Sequence, residues 1–581
     1  MKTLELFNVV LAKPSQKDPV ISEEGFVIES NALWAEDKIK NFYKHQKLVG
    51  KDLNKTFHKS FAKVRESSRY DLLVEQIRHY MSTYGSDFQE EIYIPNELLE
   101  IPEVNLTYKV VRGLSREELT TKCLDLLKSG IALKEETIDK ILSILDDELE
   151  YQFTGKEGIR NKEAIIKIAK NYGVVPDDTM EFFRYCIYMS TGESLLIKNQ
   201  ETISLIKSSR FNPSTLFKQH GLKRLSRIFN RFKPLFLAYK SVCPKTINKI
   251  SKLSKQFHKP LVQNPLNSVT SRRLTEEEAH WLTNATPFAL FKALSALHCR
   301  INGQTVFNYR IRNGKSWVKE EESKNVFLCH DNFSFILNHM RKRFDLSDKK
   351  IYLPENVEYA LPTSEKMFVG NIPTGTKFIG EKLAVGVYWK DEWGARDLDL
   401  SAVDISGAKI GWNSAYSSER LTYSGDITSA PNGAVEYLHC NSGDDKPWLI
   451  KNNVYTGESD CGYKIIVGQG DDVSKNYMMD PNKVMVDVRT EAVQKNMVLG
   501  MLLPKDEKQC FVLLNFGAGH AKVSSGGGLG LQALVQQYEN PLSFRQLVTE
   551  LGAEVVEKSE EATLDLSLNS LTKDSFVNLF N

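Results

Sequence analysis

The chain has few cysteines, and they lie far apart. Eight cysteines are spread over 581 residues, with no Cys-x-x-Cys pair. A disulfide scaffold and a paired-cysteine metal or redox motif need clustered thiols, so both are excluded as organising features. This spacing favours a reducing cytoplasm as the location.

Long hydrophobic runs are also missing. No window reaches the roughly 18 uninterrupted apolar residues that a membrane-spanning helix needs. The amino-terminal apolar stretch is interrupted by Glu5 and Asn8, so we expect no secretory signal there. A membrane can therefore be a surface partner only.

Acidic residues are absent from residues 202–275, which carry sixteen lysines and arginines. The regions on both sides contain more acidic than basic side chains. This uneven distribution indicates a surface that binds a partner, or an internal docking face.

The length predicts several domains, and 41% hydrophobic with 26% charged residues is ordinary for globular proteins. We expect an α+β multidomain protein with a mainly α-helical amino-terminal half and a β-sandwich in the carboxy-terminal half. The predicted regions are a mixed or helical region 1–95, a helical domain 96–275, an α/β connecting region 276–369, a β-sandwich 370–530 and a helical segment 531–581.

Helices are predicted from start signals and apolar spacing. Ser115 and Glu118 form a capping box before an apolar run that ends near Gly130. The segments KIKNFYKHQ, RYDLLVEQIRHYM, KEETIDKILSILDDELE and NKEAIIKIAKNYG are also typical of helices. A second capping box, Ser543 to Gln546, predicts a helix that stops near Gly552.

Short strands dominate after about residue 300. Asn313-Gly314 lies between two alternating runs, which indicates a β-hairpin. The segments KLAVGVYWK, DLDLSAVDI, AKIGWNSAY, GYKIIVGQG, NKVMVDVRT, KNMVLGMLL and CFVLLNFGA, separated by turn residues, predict the sandwich.

Two motifs in the sandwich region resemble a known family. The run RDLDLSA at 396–402, followed by YSGD at 423–426, resembles the TerD family of tellurium-resistance and stress proteins. The resemblance covers residues 370–530 and implies a calcium-binding β-sandwich. The fuller chain is similar to a group of uncharacterised bacterial proteins, through CLDLLKSGIALKEETIDKIL, FFRYCIYMSTGESLLIKNQETI and VMVDVRTEAVQKNMVLGMLL.

The residues of the motif suit a hard cation. Alternation along a strand places Asp397, Asp399 and Ser401 on one face, and Leu398 and Leu400 on the other. Oxygen ligands of Ca²⁺ are expected from four carboxylates: Asp397, Asp399, Asp426 and Glu436. The segment ITSAPNGAVE replaces the acidic loop of calcium-binding family members. The alternative is a solvated acidic strand face, or a salt bridge to Arg396.

The acid-free region predicts a basic amphipathic helix that ends near Pro234. Its apolar face is formed by Leu222, Leu225, Phe229 and Phe232. Candidate contacts to an anion or a partner are Lys223, Arg224, Arg227, Arg231 and Lys233. The partner is either an acidic region of this protein or another subunit, a nucleic-acid backbone, or anionic lipid.

Candidate catalytic motifs fail on spacing. GNIPTGTK at 370–377 has Thr376 between the glycine and the lysine of a phosphate loop, and SSGGGLG at 524–530 is typical of a flexible connection. The pairs His298-Cys299 and Cys329-His330 lack structural-zinc spacing.

These observations favour a nonenzymatic structural or interaction protein. We expect it to be stress-related, cytoplasmic and homo-oligomeric, with self or another protein as its partner. The alternative is a nucleic-acid-associated stress factor that binds through residues 202–275.

Overall fold

The structure is a computed structural model. It describes residues 1–23, 25–44, 46–85, 92–105, 108–257, 263–310, 316–322, 325–441, 446–470, 474–505, 508–517 and 527–580. Helices predominate in the amino-terminal half and sheets in the carboxy-terminal half, so the α+β prediction is confirmed.

The first 114 residues combine short strands with helices. Their elements are α1 Lys2–Phe7, β1 Val9–Leu11, β2 Val20–Ile21, β3 Phe26–Ile28, α2 Glu36–Tyr43, α3 Gly50–Leu53, α4 Phe61–Glu66, α5 Arg69–Tyr84 and β4 Lys109–Leu114. The strands form one sheet in the order β1-β4-β3-β2. Thus β4, which lies in the region predicted to be helical, pairs in parallel with both β1 and β3.

In the described residues, helices follow as far as residue 343, and a hairpin lies between α16 and α17. They are α6 Arg116–Lys128, α7 Glu135–Ser143, α8 Lys162–Tyr172, α9 Thr179–Thr191, α10 Gln200–Ser208, α11 Ser214–His220, α12 Leu222–Phe229, α13 Lys233–Ala238, α14 Pro244–Ser254, α15 Ala279–Asn284, α16 Pro287–Ile301 and α17 Val326–Arg343. The Ser115–Glu118 capping box is present at the start of α6. Helices α8 to α14 enclose a hydrophobic core of their own.

The basic amphipathic helix predicted before Pro234 is present as α12, but its predicted end is wrong. α12 spans Leu222–Phe229, and Pro234 lies in the first turn of α13 instead of ending a helix. The first turn tolerates proline because its backbone N–H groups have no intrahelical acceptor.

The hairpin consists of β5 Val306–Arg310 and β6 Ser316–Glu320, which pair antiparallel. Its predicted turn residues, Asn313 and Gly314, lie outside the described residues.

Two antiparallel sheets then form a sandwich. The strands of this part of the chain are β7 Lys350–Tyr352, β8 Val357–Glu358, β9 Phe368–Val369, β10 Ile372–Pro373, β11 Lys377–Gly380, β12 Leu383–Trp389, β13 Ala395–Asp404, β14 Lys409–Gly411, β15 Leu421–Tyr423, β16 Ala434–Cys440, β17 Trp448–Gly457, β18 Gly462–Gln469, β19 Val484–Glu491, β20 Asn496–Lys505 and β21 Lys508–Gly517. Of these, β7, β9 and β10 lie outside the two sandwich sheets. One sheet has the order β14-β13-β17-β20-β21-β11-β8, and the other β15-β16-β12-β18-β19. All seven strands predicted from segment patterns are present, and the two sheets also contain β8, β11, β15, β16 and β17.

The outer faces of both sheets are covered by other parts of the chain. Leu48, Leu53 and Phe61 of the amino-terminal region pack on Tyr388 and Tyr437 of the five-stranded sheet. Helix α18, Gly527–Glu539, packs on β20 and β21 of the seven-stranded sheet. This coverage explains why every residue of β12 and β16 is buried.

The end of the chain is only partly helical. Helix α19, Phe544–Glu550, begins at the predicted capping box of Ser543 and Gln546. Two short strands follow, β22 Glu554–Val556 and β23 Leu564–Asp565, and both pair in parallel with β7. The expectation of a helix is wrong for these strands, because backbone pairing with β7 satisfies their polar groups.

Candidate cation site

Strand β13 carries two carboxylates on one face. Leu398 and Leu400 point into the sandwich core, so alternation turns Asp397 and Asp399 to the opposite side. Neighbouring strand β17 pairs with β13 along this stretch and brings Asn453 opposite Asp399.

A turn after β15 supplies the third carboxylate. Gly425 has a φ of 94°, and a Cβ at this position would lie 2.9 Å from Phe57 and from His58. Only glycine fits both the left-handed backbone and this close approach. The Ser424-Gly425-Asp426 turn can therefore direct Asp426 toward β13.

The three aspartates converge in the folded chain. One carboxylate oxygen from each of Asp397, Asp399 and Asp426 lies within 4.8 Å of the other two. All three residues are at most 2% exposed. Oδ1 of Asp397 and Oδ1 of Asp426 are buried without a hydrogen-bond partner. Burial rules out the alternative of a solvated acidic face.

Burial makes ionisation of this group costly. It raises the pKa of Asp397 to about 7, with the nearby Asp426 charge adding to the effect. Burial, followed by the charges of Asp397 and Asp426, raises the pKa of Asp399 to about 8. Burial also raises the pKa of Asp426. A bound cation or protons must neutralise like charges at this distance.

Hydrogen bonds fix the orientation of each carboxylate. Tyr84 Oη donates to Asp397 Oδ2 at 2.5 Å, and Tyr80 Oη donates to Asp426 Oδ2 at 2.5 Å. The amide of Asn453 donates to Asp399 Oδ2 at 2.7 Å. These donors occupy the Oδ2 atoms, and Oδ1 of Asp397 and Oδ1 of Asp426 remain for a ligand.

Glu436, the fourth predicted ligand, does not join this group. Its Oε2 accepts hydrogen bonds from the Leu400 N–H at 2.9 Å and from Tyr423 Oη at 2.7 Å. Its Oε1 accepts from the Ile427 N–H at 3.0 Å. Burial, and then the Asp426 charge, raises the pKa of Glu436. With both oxygens engaged, this carboxyl holds β13 and the Asp426 turn together.

Sequence patterns did not reveal the two tyrosine donors. The predicted helix RYDLLVEQIRHYM corresponds to α5, but its contact with a motif more than 300 residues away leaves no local signal. The spacing of Tyr80 and Tyr84 by one helical turn is the only available hint, because it places both side chains on neighbouring parts of one face.

The five predicted basic contact residues are all exposed, and they lie on α12 or within four residues of its end. Lys223, Arg224 and Arg227 are exposed on α12, and Arg231 and Lys233 are exposed just after it. Arg224 pairs with Asp177. The predicted apolar face is core, since Leu225, Phe229 and Phe232 are buried among α8 to α14 and Leu222 packs against them.

The described residues contain no second group of three or more potential metal ligands. Cys299 and Cys329, from the rejected zinc pairs, are free thiols on α16 and α17. GNIPTGTK contains β10, which forms a hairpin with β9. Residues 524–526 of SSGGGLG lie outside the described residues, and the remainder begins α18.

Comparisons of the chain with protein-family models, curated proteins and solved structures found no match. Among the described residues, no helix has the length and apolar character needed to cross a bilayer.

Proposed function

We propose that this chain is a nonenzymatic interaction protein whose carboxy-terminal sandwich binds a divalent cation, with Ca²⁺ as the favoured ion. The proposal rests on the convergence of Asp397, Asp399 and Asp426. All three are buried, and two of their carboxylate oxygens have no hydrogen-bond partner. The resemblance to TerD proteins supports the same assignment and suggests a role in stress response.

The dimensions of the group suit calcium. Ca²⁺ binds oxygen ligands at about 2.3–2.6 Å, so two of its ligands lie at most roughly 5 Å apart. The aspartate oxygens lie within 4.8 Å of one another. The all-oxygen donor set excludes a preference for a soft metal. Asp397, Asp399 and Asp426 would hold the ion, which would supply the positive charge that cancels their repulsion.

A cytoplasmic location and self-assembly belong to the same proposal. All eight cysteines are free, which suits a reducing compartment. Self-assembly draws support from the exposed cations of α12 and the acidic regions elsewhere in the chain, because complementary charges steer association.

Calorimetric titration of the full chain with Ca²⁺ tests the cation site. We expect saturable binding to one site and a higher melting temperature with excess Ca²⁺, because the ion binds only the folded arrangement. Asp399→Asn should weaken binding by at least tenfold, since it removes a charged ligand.

The matched control is Asp404→Asn, on the same strand. Asp404 lies outside the three-aspartate group and binds the backbone N–H groups of Ser406 and Ala408. Its substitution should leave calcium affinity unchanged. Absence of both Ca²⁺ heat and a thermal shift in the parent protein would rule out the site.

Binding of a nucleic-acid backbone is a second candidate function. The specific observation is that the described part of residues 202–275 exposes many cations, and only Arg224, Arg272 and Arg273 among them form salt bridges. The apolar side of α12 is buried in the helical core, so this helix cannot insert into lipid. A phosphate backbone requires only the exposed charges.

A further inference from the structure

Helix α5 is oriented with its apolar side toward solvent. Its outward stripe consists of Tyr70, Leu73, Ile77 and Met81, which are 44–73% exposed. The buried residues of α5 are Leu72, Gln76 and His79. A surface helix ordinarily buries its apolar stripe, so burial of apolar area contributes little to the position of α5.

Polar contacts hold α5 on the segment that carries Asp426. Gln76 Nε2 donates to the backbone carbonyl of Asp426 at 3.1 Å, and Tyr416 Oη donates to Gln76 Oε1 at 2.7 Å. The Thr428 N–H donates to His79 Nε2 at 2.9 Å. Thr428 Oγ1 also donates to Thr83 Oγ1 at 2.6 Å.

The hydroxyls of Tyr80 and Tyr84 complete this attachment on the aspartates themselves. Each donates to an Oδ2 atom, and the Oδ1 atoms of the same two carboxylates have no partner. Asp397 and Asp426 therefore both hold α5 in place and belong to the candidate cation site.

We propose that α5 is a lid whose closure is coupled to cation binding, with Tyr80 and Tyr84 as positioning residues. This inference rests on the cation site proposed above. A cation among the three carboxylates keeps them together and leaves Oδ2 of Asp397 and of Asp426 as acceptors for the tyrosines. Without it, the carboxylates that are ionised repel one another, which favours movement of the Asp426 turn and so loosens the polar contacts of α5.

The coupling is reciprocal. If the cation stabilises the seated helix, the seated helix must raise the affinity for the cation by the same factor. Outer-shell donors that orient metal ligands typically change affinity by about 10–100-fold when removed.

A crevice beside α5, lined by Leu72, Gln76, Tyr80, Trp412 and Tyr416, gives solvent access to the underside of the lid.

Two measurements on the full chain test the lid. Hydrogen exchange of residues 69–84 should slow at least tenfold when chelator is replaced by saturating Ca²⁺. In calorimetric titration, the Tyr80→Phe/Tyr84→Phe variant should bind Ca²⁺ at least tenfold more weakly than the parent. Tyr70→Phe is the matched control, because it removes a hydroxyl from the exposed side of α5 and should leave affinity unchanged.

The outcomes separate the two proposals. Absence of Ca²⁺ binding to the parent protein overturns both the site and the lid. Calcium binding with unchanged exchange in α5, or undiminished affinity in the double variant, overturns the lid and leaves the cation site standing. If the double variant loses protection in the sandwich strands, Tyr84→Phe alone replaces it, because half of Tyr84 is already exposed.

Discussion

Two buried carboxyl environments meet at the Asp426 turn, and they differ in how their oxygens are satisfied. Glu436 has hydrogen-bond donors on both oxygens, whereas Asp397 and Asp426 each retain one oxygen without a partner. A satisfied carboxyl is a structural link, and an unsatisfied one lacks compensation for the water it lost on burial. This difference singles out the aspartates as the place for an ion.

His58 is another buried polar residue with unusual surroundings. Its ring is fully buried, and neither nitrogen has a hydrogen-bond partner. Glu75 Oε2 lies 3.5 Å from Nδ1, and the charges of Lys63 and Lys59 also act on the ring. Burial first, and then these lysines, lowers the pKa of His58 to about 3. The folded protein therefore keeps this ring neutral at mildly acidic pH.

Acid should destabilise the protein through His58. Its folded-state pKa is below the unfolded value of 6.5, so the unfolded chain binds more protons between pH 3 and 6.5. The stabilisation is present above pH 6.5 and is lost as pH falls, at up to ~1.4 kcal/mol per pH unit. Urea unfolding should show that the free energy of unfolding falls less between pH 7.5 and pH 5.5 for His58→Leu than for the parent.

The control for this pH effect is His330→Leu. His330 is exposed on α17, so its replacement by leucine disturbs no buried contact. Its substitution should preserve the pH dependence of the parent. Equal losses of stability in the parent and in His58→Leu would contradict the account of His58.

At the scale of elements, α5 and α12 have similar sequence patterns and opposite orientations. Both carry an apolar stripe at helical spacing, but α12 buries it in the core of α8 to α14, and α5 exposes it. The periodicity identifies a helix and its stripe, but it does not determine which side faces the protein. Polar partners on the sandwich fix the orientation of α5.

Phe229→Ala should destabilise the bundle formed by α8 to α14. Phe229 is 1% exposed in the core of this bundle, and truncation of a buried phenylalanine costs about 3–5 kcal/mol. Because this core is separate from that of the sandwich, hydrogen exchange should accelerate in residues 162–254 and remain unchanged in β12 and β16.

Arg227→Ala on the same helix is the comparison. Its side chain is exposed, so its removal should change exchange in the bundle very little. Equal acceleration in the sandwich strands would show that the two cores unfold as one unit.

At the scale of the whole molecule, charge is separated into different structural units. The bundle has its own core and exposes the cations of the acid-free region, whereas the carboxylate group lies on the sandwich under α5. A polyanion and a small cation therefore act on different surfaces. This separation allows the two proposed binding functions to be tested independently.

Charge reversal should distinguish the candidate partners of the bundle. The variant Lys223→Glu/Arg227→Glu/Arg231→Glu changes three exposed cations and leaves the core in place. If the surface binds nucleic acid, the parent should shift DNA or RNA at low salt, and the shift should weaken steeply with salt and disappear in the variant. If it supports self-assembly, sedimentation should show smaller species for the variant.

Asp404→Asn serves as a charge-altering control away from the bundle. No mobility shift of the parent at low salt would remove the nucleic-acid candidate. An oligomer that persists unchanged in the triple variant would remove the electrostatic route to assembly.

Much of the fold could be predicted because its signals are local. Capping boxes at Ser115 and Ser543, the helical spacing in α7 and α8, and the alternation in β13 each depend on residues within a few positions of one another. Strand β12 is predicted from an uninterrupted apolar run, whereas β16 was missed because Glu436 and His439 interrupt its run and its burial leaves no alternation. The end of α12 at Phe229 was missed because apolar spacing continues to Phe232.

The local pattern of residues is enough to place Asp397 and Asp399 on one face of a strand and Asp426 after a glycine turn, because strand period and turn chemistry are short-range properties. The meeting of these carboxylates, the occupation of Glu436 by hydrogen-bond donors and the position of Tyr80 and Tyr84 over the group follow only from the folded arrangement. These contacts join segments hundreds of residues apart. Their geometry depends on how two sheets and a helix pack, which no local pattern encodes.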